Sequence, residues 1–456
     1  MEDLDGGTVR QTAGQRETRR VPPQEEPNAP IRRRVAAVSC PALSAARLAI
    51  PGVMDAEGRV DESRLRMHIC KNGGTSPSDR GLVWRFLFGM YPCSSTALER
   101  SLLQEQLFVR YRVMKKKWQT FLPSAKKISL NGTDVELIKA VRYFEEREAE
   151  AQQENQFQSE EVQVRLAFLE LQAQFLFGGV SFHREELQEA IRIIDKDVPR
   201  TNRDLSYYQN EGLGNLLVLR DILITYAAFH PEVSYAQGMN DLCSRFLEVL
   251  DCEIDTFWSF SCYMEKFSKD FQADGLHRKI VLEAALLKEL DPPLYAHLAK
   301  DNMESLTFCH REFEHSEALR LFEILSCDHL ELISQQVDRA RHHERLAQEN
   351  IEEDSPESEL HTINTDFTFE LFVCAAILLD NRDSLLQCRD DVQLIQFTSS
   401  LHRKLDLNSM LQKAERHFYN YCKSCSWDYM NGRCRVNTNT QEDFIDHLRS
   451  FFALKR

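Results

Sequence analysis

Glycine and proline are scarce, with 17 and 14 residues in a chain of 456, about 7% together where an average chain has ~12%. Collagenous and low-complexity chains need far more of both, and a β-sandwich needs more turn residues than this supply allows. Long hydrophobic runs are missing too. No stretch approaches the ~20 apolar residues of a membrane-spanning helix, and residues 1–40 hold arginines and prolines without the apolar core of a secretory leader. Net positive charge is also absent: 56 basic against 71 acidic residues leave −15 at pH 7. That field repels nucleic acid and anionic lipid and tolerates partners with basic surfaces. Together these absences predict a cytoplasmic, helix-rich protein that does not bind nucleic acid. The 13 cysteines, an odd number spread from Cys40 to Cys434, read as buried thiols rather than a disulfide framework.

What is present is enough apolar material, 43% of the chain, to build a sizeable core. Residues 1–40 are set apart: Arg16, Arg19, Arg20 and Arg32 to Arg34 surround four prolines with almost no aliphatic side chains, so they read as a disordered basic leader. Apolar spacing then becomes helical. Asp61-Glu62-Ser63 starts a short helix that Gly73-Gly74 ends, and Ser76-Pro77 caps the next, whose stripe is Val83, Trp84, Leu87 and Phe88. Trp84 and Trp118 read as core anchors. A helix over Leu98–Trp118 follows, then stripes at Leu187, Ala190, Ile191, Ile194 and at Leu216, Leu219, Ile222, Leu223, Tyr226. Further helices are expected over Met239–Leu250, Phe257–Phe267, Arg278–Leu290, Leu319–Leu325, Phe367–Leu379, Leu394–Leu401 and Leu411–Tyr421, with breaks at Pro231, Asp255 and Pro292-Pro293.

Two acidic stretches interrupt this order. Glu145–Glu161 holds seven glutamates and one base, and Glu349–Glu359 holds six acids and none. The first reads as a solvated helix or a flexible insertion and the second as a mobile acidic loop, within polar segments at about 125–180 and 335–365. Between them Val162, Val164, Leu166 and Phe168 alternate while Leu166, Leu169, Ala173 and Phe177 fit a helix, and the helix is preferred.

Familiar nucleotide and hydrolase signatures are absent: the chain has no G-x-x-x-x-G-K-[ST], no H-E-x-x-H and no G-x-S-x-G. Gly212 and Gly214 begin a dinucleotide fingerprint, but its third glycine position is Leu217 and no strand precedes it. Cys422, Cys425, Cys434 and His447 have irregular spacing with a single C-x-x-C, which weighs against zinc. His342-His343 reads as an exposed helix face.

Two segments carry the functional signal. Ile194-Asp195-Lys196-Asp197-Val198-Pro199-Arg200 closes one helix, and Tyr235-Ala236-Gln237-Gly238-Met239-Asn240-Asp241 opens another. They match I-x-x-D-x-x-R and Y-x-Q-G, and here the chain resembles the TBC-domain family of Rab GTPase-activating proteins. Asp55-x-x-Gly58-Arg59, Gly73-Gly74 through Arg80 to Trp84, Phe372–Leu379 and Leu405-Asp406-Leu407 through Ala414-Glu415 extend the resemblance over roughly residues 41–422. It implies an all-α, two-lobed domain over 41–425, followed by an irregular tail over 426–456. It implies a GTP-bound Rab partner that brings its own GTP and Mg²⁺, so that the activator needs no cofactor and associates with membranes through partners.

By the same resemblance Arg200 is an arginine finger and Gln237 a glutamine finger, acting in trans. A guanidinium offers a permanently charged planar fork to the γ-phosphate oxygens, and a carboxamide can accept from the attacking water and donate to phosphate. Asp197, three residues before Arg200, is placed to orient the guanidinium. Tyr235 and Gly238 would aim Gln237, and Asp241 would tie down its loop.

One departure stands out. After Phe308-Cys309 the family continues with an arginine, a tryptophan and a run of leucines before R-E-F, whereas here His310 leads directly to Arg311-Glu312-Phe313. About eight residues, near two helical turns, are missing. The consequence is either a non-catalytic Rab-binding scaffold with impaired activity, or a gap refilled by Leu306, Phe308, Phe313, Leu319 and Phe322.

Overall fold

The structure, a computed structural model, describes residues 46–128, 135, 137–139, 160–271, 275–300, 313–327, 361–363, 367–401, 404–430 and 434–436. The basic leader, most of both acidic runs, His342-His343, the junction at Cys309-His310 with Leu306 and Phe308, and His447 lie outside the described residues.

The described chain is helical almost throughout: α1 (Glu62–Asn72), α2 (Pro77–Leu87), α3 (Ala97–Phe121), α4 (Glu160–Gly178), α5 (Arg184–Asp197), α6 (Gly214–Phe229), α7 (Met239–Leu250) and α8 (Glu253–Phe267). There follow α9 (Gly275–Leu290), α10 (Pro292–Ala299), α11 (His315–Leu325), α12 (Phe369–Asp380), α13 (Arg382–Leu385), α14 (Asp391–Leu401) and α15 (Leu407–Met430). A three-residue parallel ladder joins β1 (His361–Ile363) to β2 (Cys434–Val436).

Local chemistry explains the helix starts. Asp61 accepts from the Arg64 N–H and Ser76 from the Asp79 N–H, with Pro77 in the first turn where it removes no helical hydrogen bond. Thr96 and Glu99 exchange side-chain-to-backbone bonds at the start of α3. Some sequence expectations are corrected by the same chemistry. Pro292-Pro293 does not only break the chain: Asp291 caps Leu294, and the prolines open α10. Asp255 is no break, because it lies in the first turn of α8, buried against a cation from α2. The region read as a polar insertion at 125–180 contains α4, the helix that the stripe Leu166, Leu169, Ala173 and Phe177 favours, and it packs Ala173 and Phe177 into the core. Within the tail read as irregular over 426–456, the described residues are regular: α15 runs to Met430 and β2 spans Cys434–Val436.

One continuous core runs through α1 to α9 and on through α11, α12 and α15, and a smaller leucine cluster sits among α9, α10, α12, α13 and α14. Trp84 and Trp118 are fully buried. Trp84, Phe88, Phe246 and Phe322 pack ring on ring, with centroids 4.7–5.6 Å apart, each such pair adding ~0.5–1.5 kcal/mol beyond simple burial. Phe313, Leu319 and Phe322 are all buried, so the chain after the departure at His310 regains its seat in the core.

That seat is also polar. Glu323, fully buried on α11, accepts from the Thr75 N–H (2.7 Å), the Thr75 hydroxyl (2.8 Å), Arg80 Nε (2.6 Å) and Trp84 Nε1 (2.9 Å). Gly74 makes room for it: at φ +109° a Cβ there would lie 2.9 Å from the Arg320 side chain and 3.0 Å from the Glu323 carboxylate. Elsewhere Arg85 holds Asp255 at 2.6–2.8 Å, and Arg220 of α6 holds Asp195 of α5 at 2.6 Å while donating to the Ala125 carbonyl. The Arg220 clasp fixes the end of α5, where the first motif lies.

Candidate functional site

α5 buries Leu187, Ala190, Ile191 and Ile194 along one face, and the chain leaves it through a 3₁₀ turn, Val198–Arg200. Val198 is fully buried, Pro199 fits the tight turn, and Thr201 locks it by giving its hydroxyl to the Asp197 carbonyl at 2.9 Å. The core side of this turn is therefore rigid. Arg200 emerges from it with its side chain 65% exposed, and Nη2 donates to Asp197 Oδ1 at 2.5 Å.

The second loop follows α6. His230 stacks on Tyr226 with ring centroids 4.3 Å apart, and its carbonyl accepts from the Val233 and Ser234 N–H groups. The chain then turns through Tyr235 to Gly238, the residue before α7, at φ +100° and ψ −20°. Nothing lies within 4 Å of where a Cβ would stand, so glycine is needed there for backbone conformation rather than for clearance. Gln237 is exposed at the crest of this loop.

Asp197 joins the two loops. Its side chain is 4% exposed; one oxygen accepts from Arg200 and the other from the Tyr235 hydroxyl at 2.8 Å. Burial, then the hydrogen bond to that carboxylate, pushes the Tyr235 phenol far above its ordinary range, so it stays a donor. The expected positions thus come together: Asp197 on the guanidinium, Tyr235 on Asp197, and Gln237 and Gly238 two and three residues further on.

Asn240 and Thr201 form a second tie that the sequence reading gave no role. Asn240 Nδ2 donates to the Thr201 hydroxyl at 2.9 Å and to Asp241 Oδ1 at 3.2 Å, while its Oδ1 accepts from the Gly238 N–H at 3.2 Å. Asp241 therefore acts on the loop through Asn240, from the exposed first turn of α7. Ser244, one turn on, accepts from Asn202 Nδ2 at 2.6 Å and donates to the Asp241 carbonyl. A signal for this was available: Asn240 and Ser244 are four apart on a helix whose neighbouring Met239, Cys243, Phe246, Leu247 and Leu250 are core-facing, so both polar groups had to find partners.

Chemically, the site presents a guanidinium with donors to spare and a carboxamide, both accessible, on loops braced from behind by buried hydrogen bonds. That is a surface for stabilising an anion and orienting a water. Among the described residues no three metal-ligating side chains converge. Cys422, half-buried on α15, has its thiol pushed up to about 12 by burial, and the side chains of Cys425, Cys434 and His447 lie outside the description. No described helix is long and apolar enough to cross a membrane.

A family model, the Rab-GTPase-TBC domain, matches residues 78–334, a span that includes both motifs. The chain is 26% identical over 384 residues to the GTPase-activating protein GYP7 of Yarrowia lipolytica, covering 77% of this chain and 40% of that protein. It is 29% identical over 277 residues to TBC1 domain family member 25 of Mus musculus, covering 58% of this chain and 29% of that protein. In both cases the matched part is less than half of the relative's length. The crystal structure of the Ypt/Rab-GAP domain of Gyp1p superposes with a TM-score of 0.50 at 18% identity, over 81% of this chain and 95% of that one, a likeness of fold.

Proposed function

Because the chain belongs to the Rab-GTPase-TBC domain family, we propose that it activates GTP hydrolysis on a Rab-family small GTPase, with Arg200 and Gln237 as fingers supplied in trans. The observation that carries this reading is the pairing of an exposed guanidinium with an exposed carboxamide on two loops that share one buried carboxylate. Phosphoryl transfer to water gathers charge on the γ-phosphate and needs the water held in line. Arg200 answers the first need. Its fork can engage phosphate oxygens, while Asp197 limits the angles at which the guanidinium leaves the turn. Gln237 answers the second, accepting from the water through its oxygen and donating through its nitrogen.

GTP and Mg²⁺ belong to the partner in this scheme. This chain contributes side chains, backbone conformation and the exclusion of bulk water under the docked surface. The setting we assign is the cytoplasmic face of vesicle or organelle membranes, reached through the partner.

Single-turnover hydrolysis across a panel of GTP-loaded Rab proteins tests the proposal. At least one Rab should turn over faster in the presence of the chain, and Gln237→Ala should lower that acceleration roughly 10²-fold, the scale for losing one oriented transition-state hydrogen-bonding group. Binding without acceleration on every Rab would instead identify a scaffold.

A further inference from the structure

α4 has two apolar faces, and among the described residues only one is covered. Leu166, Leu169, Ala173 and Phe177 pack into the core. The helix runs parallel to α3, as Arg165 pairs with Glu105 at 2.8 Å near one end and Lys117 donates to the Phe177 and Gly178 carbonyls at the other. On the opposite side Val164 is 66% exposed, Phe168 60%, Leu171 66% and Phe175 91%, with Leu176 beside them at 57%. A helix apolar on both sides is the pattern of one buried on both sides.

The spacing of the open stripe identifies what would cover it. Positions 164, 168, 171 and 175 are separated by four, three and four residues, the seam spacing of two helices packed knobs into holes. It reads the same in both directions. A second α4 laid antiparallel across it sets Val164 against Phe175 and Phe168 against Leu171, a smaller side chain facing a larger one in each layer, under a two-fold axis.

Charge supports the same occupant. The positions flanking the seam are Arg165, Ala167, Gln172 and Gln174, and the one charge among them is already paired with Glu105. A second copy therefore meets no like charge across the seam, despite the acidic balance of the whole chain. A helix built to lie on lipid would instead carry unpaired basic residues on its flanks.

The area is also sufficient. The two phenylalanines alone expose about 300 Å², and with the aliphatic side chains each copy would contribute roughly 500 Å², about 1,000 Å² in all, the lower limit for a specific interface. We propose that this stripe of α4 is a self-association surface through which two copies of the chain pair antiparallel, with an affinity in the micromolar range. The inference is independent of the GTPase reading.

Sedimentation velocity across the micromolar range tests it. The wild-type chain should move from monomer to dimer as concentration rises. Phe175→Glu should stay monomeric throughout with unchanged helical circular dichroism and thermal midpoint, because Phe175 contributes almost nothing to the fold of a single copy. A wild-type chain that is monomeric at every concentration overturns the proposal, as does a Phe175→Glu chain that still dimerises. A monomeric wild-type chain that floats with phosphatidylcholine vesicles, and loses this with Phe175→Glu, overturns it in favour of a lipid surface.

Discussion

Arg200→Ala should return the partner's GTP hydrolysis almost to its unassisted rate while leaving the chain folded and able to bind. An arginine supplied in trans is worth ~10³–10⁵ in rate, or about 4–7 kcal/mol of barrier, so this is the largest functional effect expected from any single substitution. Its specificity follows from exposure. The Arg200–Asp197 pair has one partner largely in solvent, and such pairs contribute ~0–1 kcal/mol to stability. The core side of the turn keeps its own ties through Val198 and Thr201. Arg200→Lys would keep the charge and lose the planar fork, and most of the acceleration should go with it. Single-turnover rates with equilibrium binding on the same Rab separate chemistry from docking. Equal acceleration by wild type and Arg200→Ala would remove the arginine from the mechanism.

Glu323→Leu should produce the largest loss of stability, far from either finger. The carboxylate takes four hydrogen bonds from Thr75, Arg80 and Trp84, all in the buried space between α11 and the start of α2. Removing it strands the Arg80 guanidinium, whose side chain is 10% exposed, and breaking a buried pair in this way costs ~3–5 kcal/mol. Three further donors, the Thr75 N–H and hydroxyl and Trp84 Nε1, lose their acceptor as well. Glu323→Gln should cost less, since one amide oxygen still accepts, although its NH₂ faces donors. Urea unfolding followed by circular dichroism checks this through the fall in midpoint. A Glu323→Leu midpoint equal to wild type would mean that the cluster does not anchor α11.

The same cluster shows where sequence reading reaches its limit. Most helix positions were legible because such a helix announces itself within a few residues: an apolar stripe, a capping side chain, a glycine at the end. α7 lies over Met239–Leu250 as the stripe indicated, and α1 ends at Gly73, which takes φ +64°. Partnerships between distant residues have no such local signature. Glu323 and Thr75 are 248 residues apart, Arg85 and Asp255 are 170 apart, and Asp255 looked like a break because its partner was invisible. The β1–β2 ladder joins segments 73 residues apart, with three residues in each strand, too short for alternation to register.

The candidate site divides in the same way. The Asp197–Arg200 bond was foreseeable from an i, i+3 spacing at a helix end. The bonds from Tyr235 to Asp197 and from Asn240 to Thr201 cross between segments 38 and 39 residues apart, and only packing α5, α6 and α7 together reveals them. α10 was hidden for a different reason: a proline pair reads as a stop unless the aspartate before it is recognised as a cap.

The shared carboxylate of Asp197 also bears on how mutational losses combine. Since one side chain steadies both the guanidinium and the loop carrying the carboxamide, Asp197→Asn and Tyr235→Phe damage the same linkage rather than two separate ones. Their free-energy penalties should therefore fail to sum, with the double variant losing less activity than the two single losses together imply. A thermodynamic cycle over these four proteins would measure that shortfall as the coupling energy between the loops.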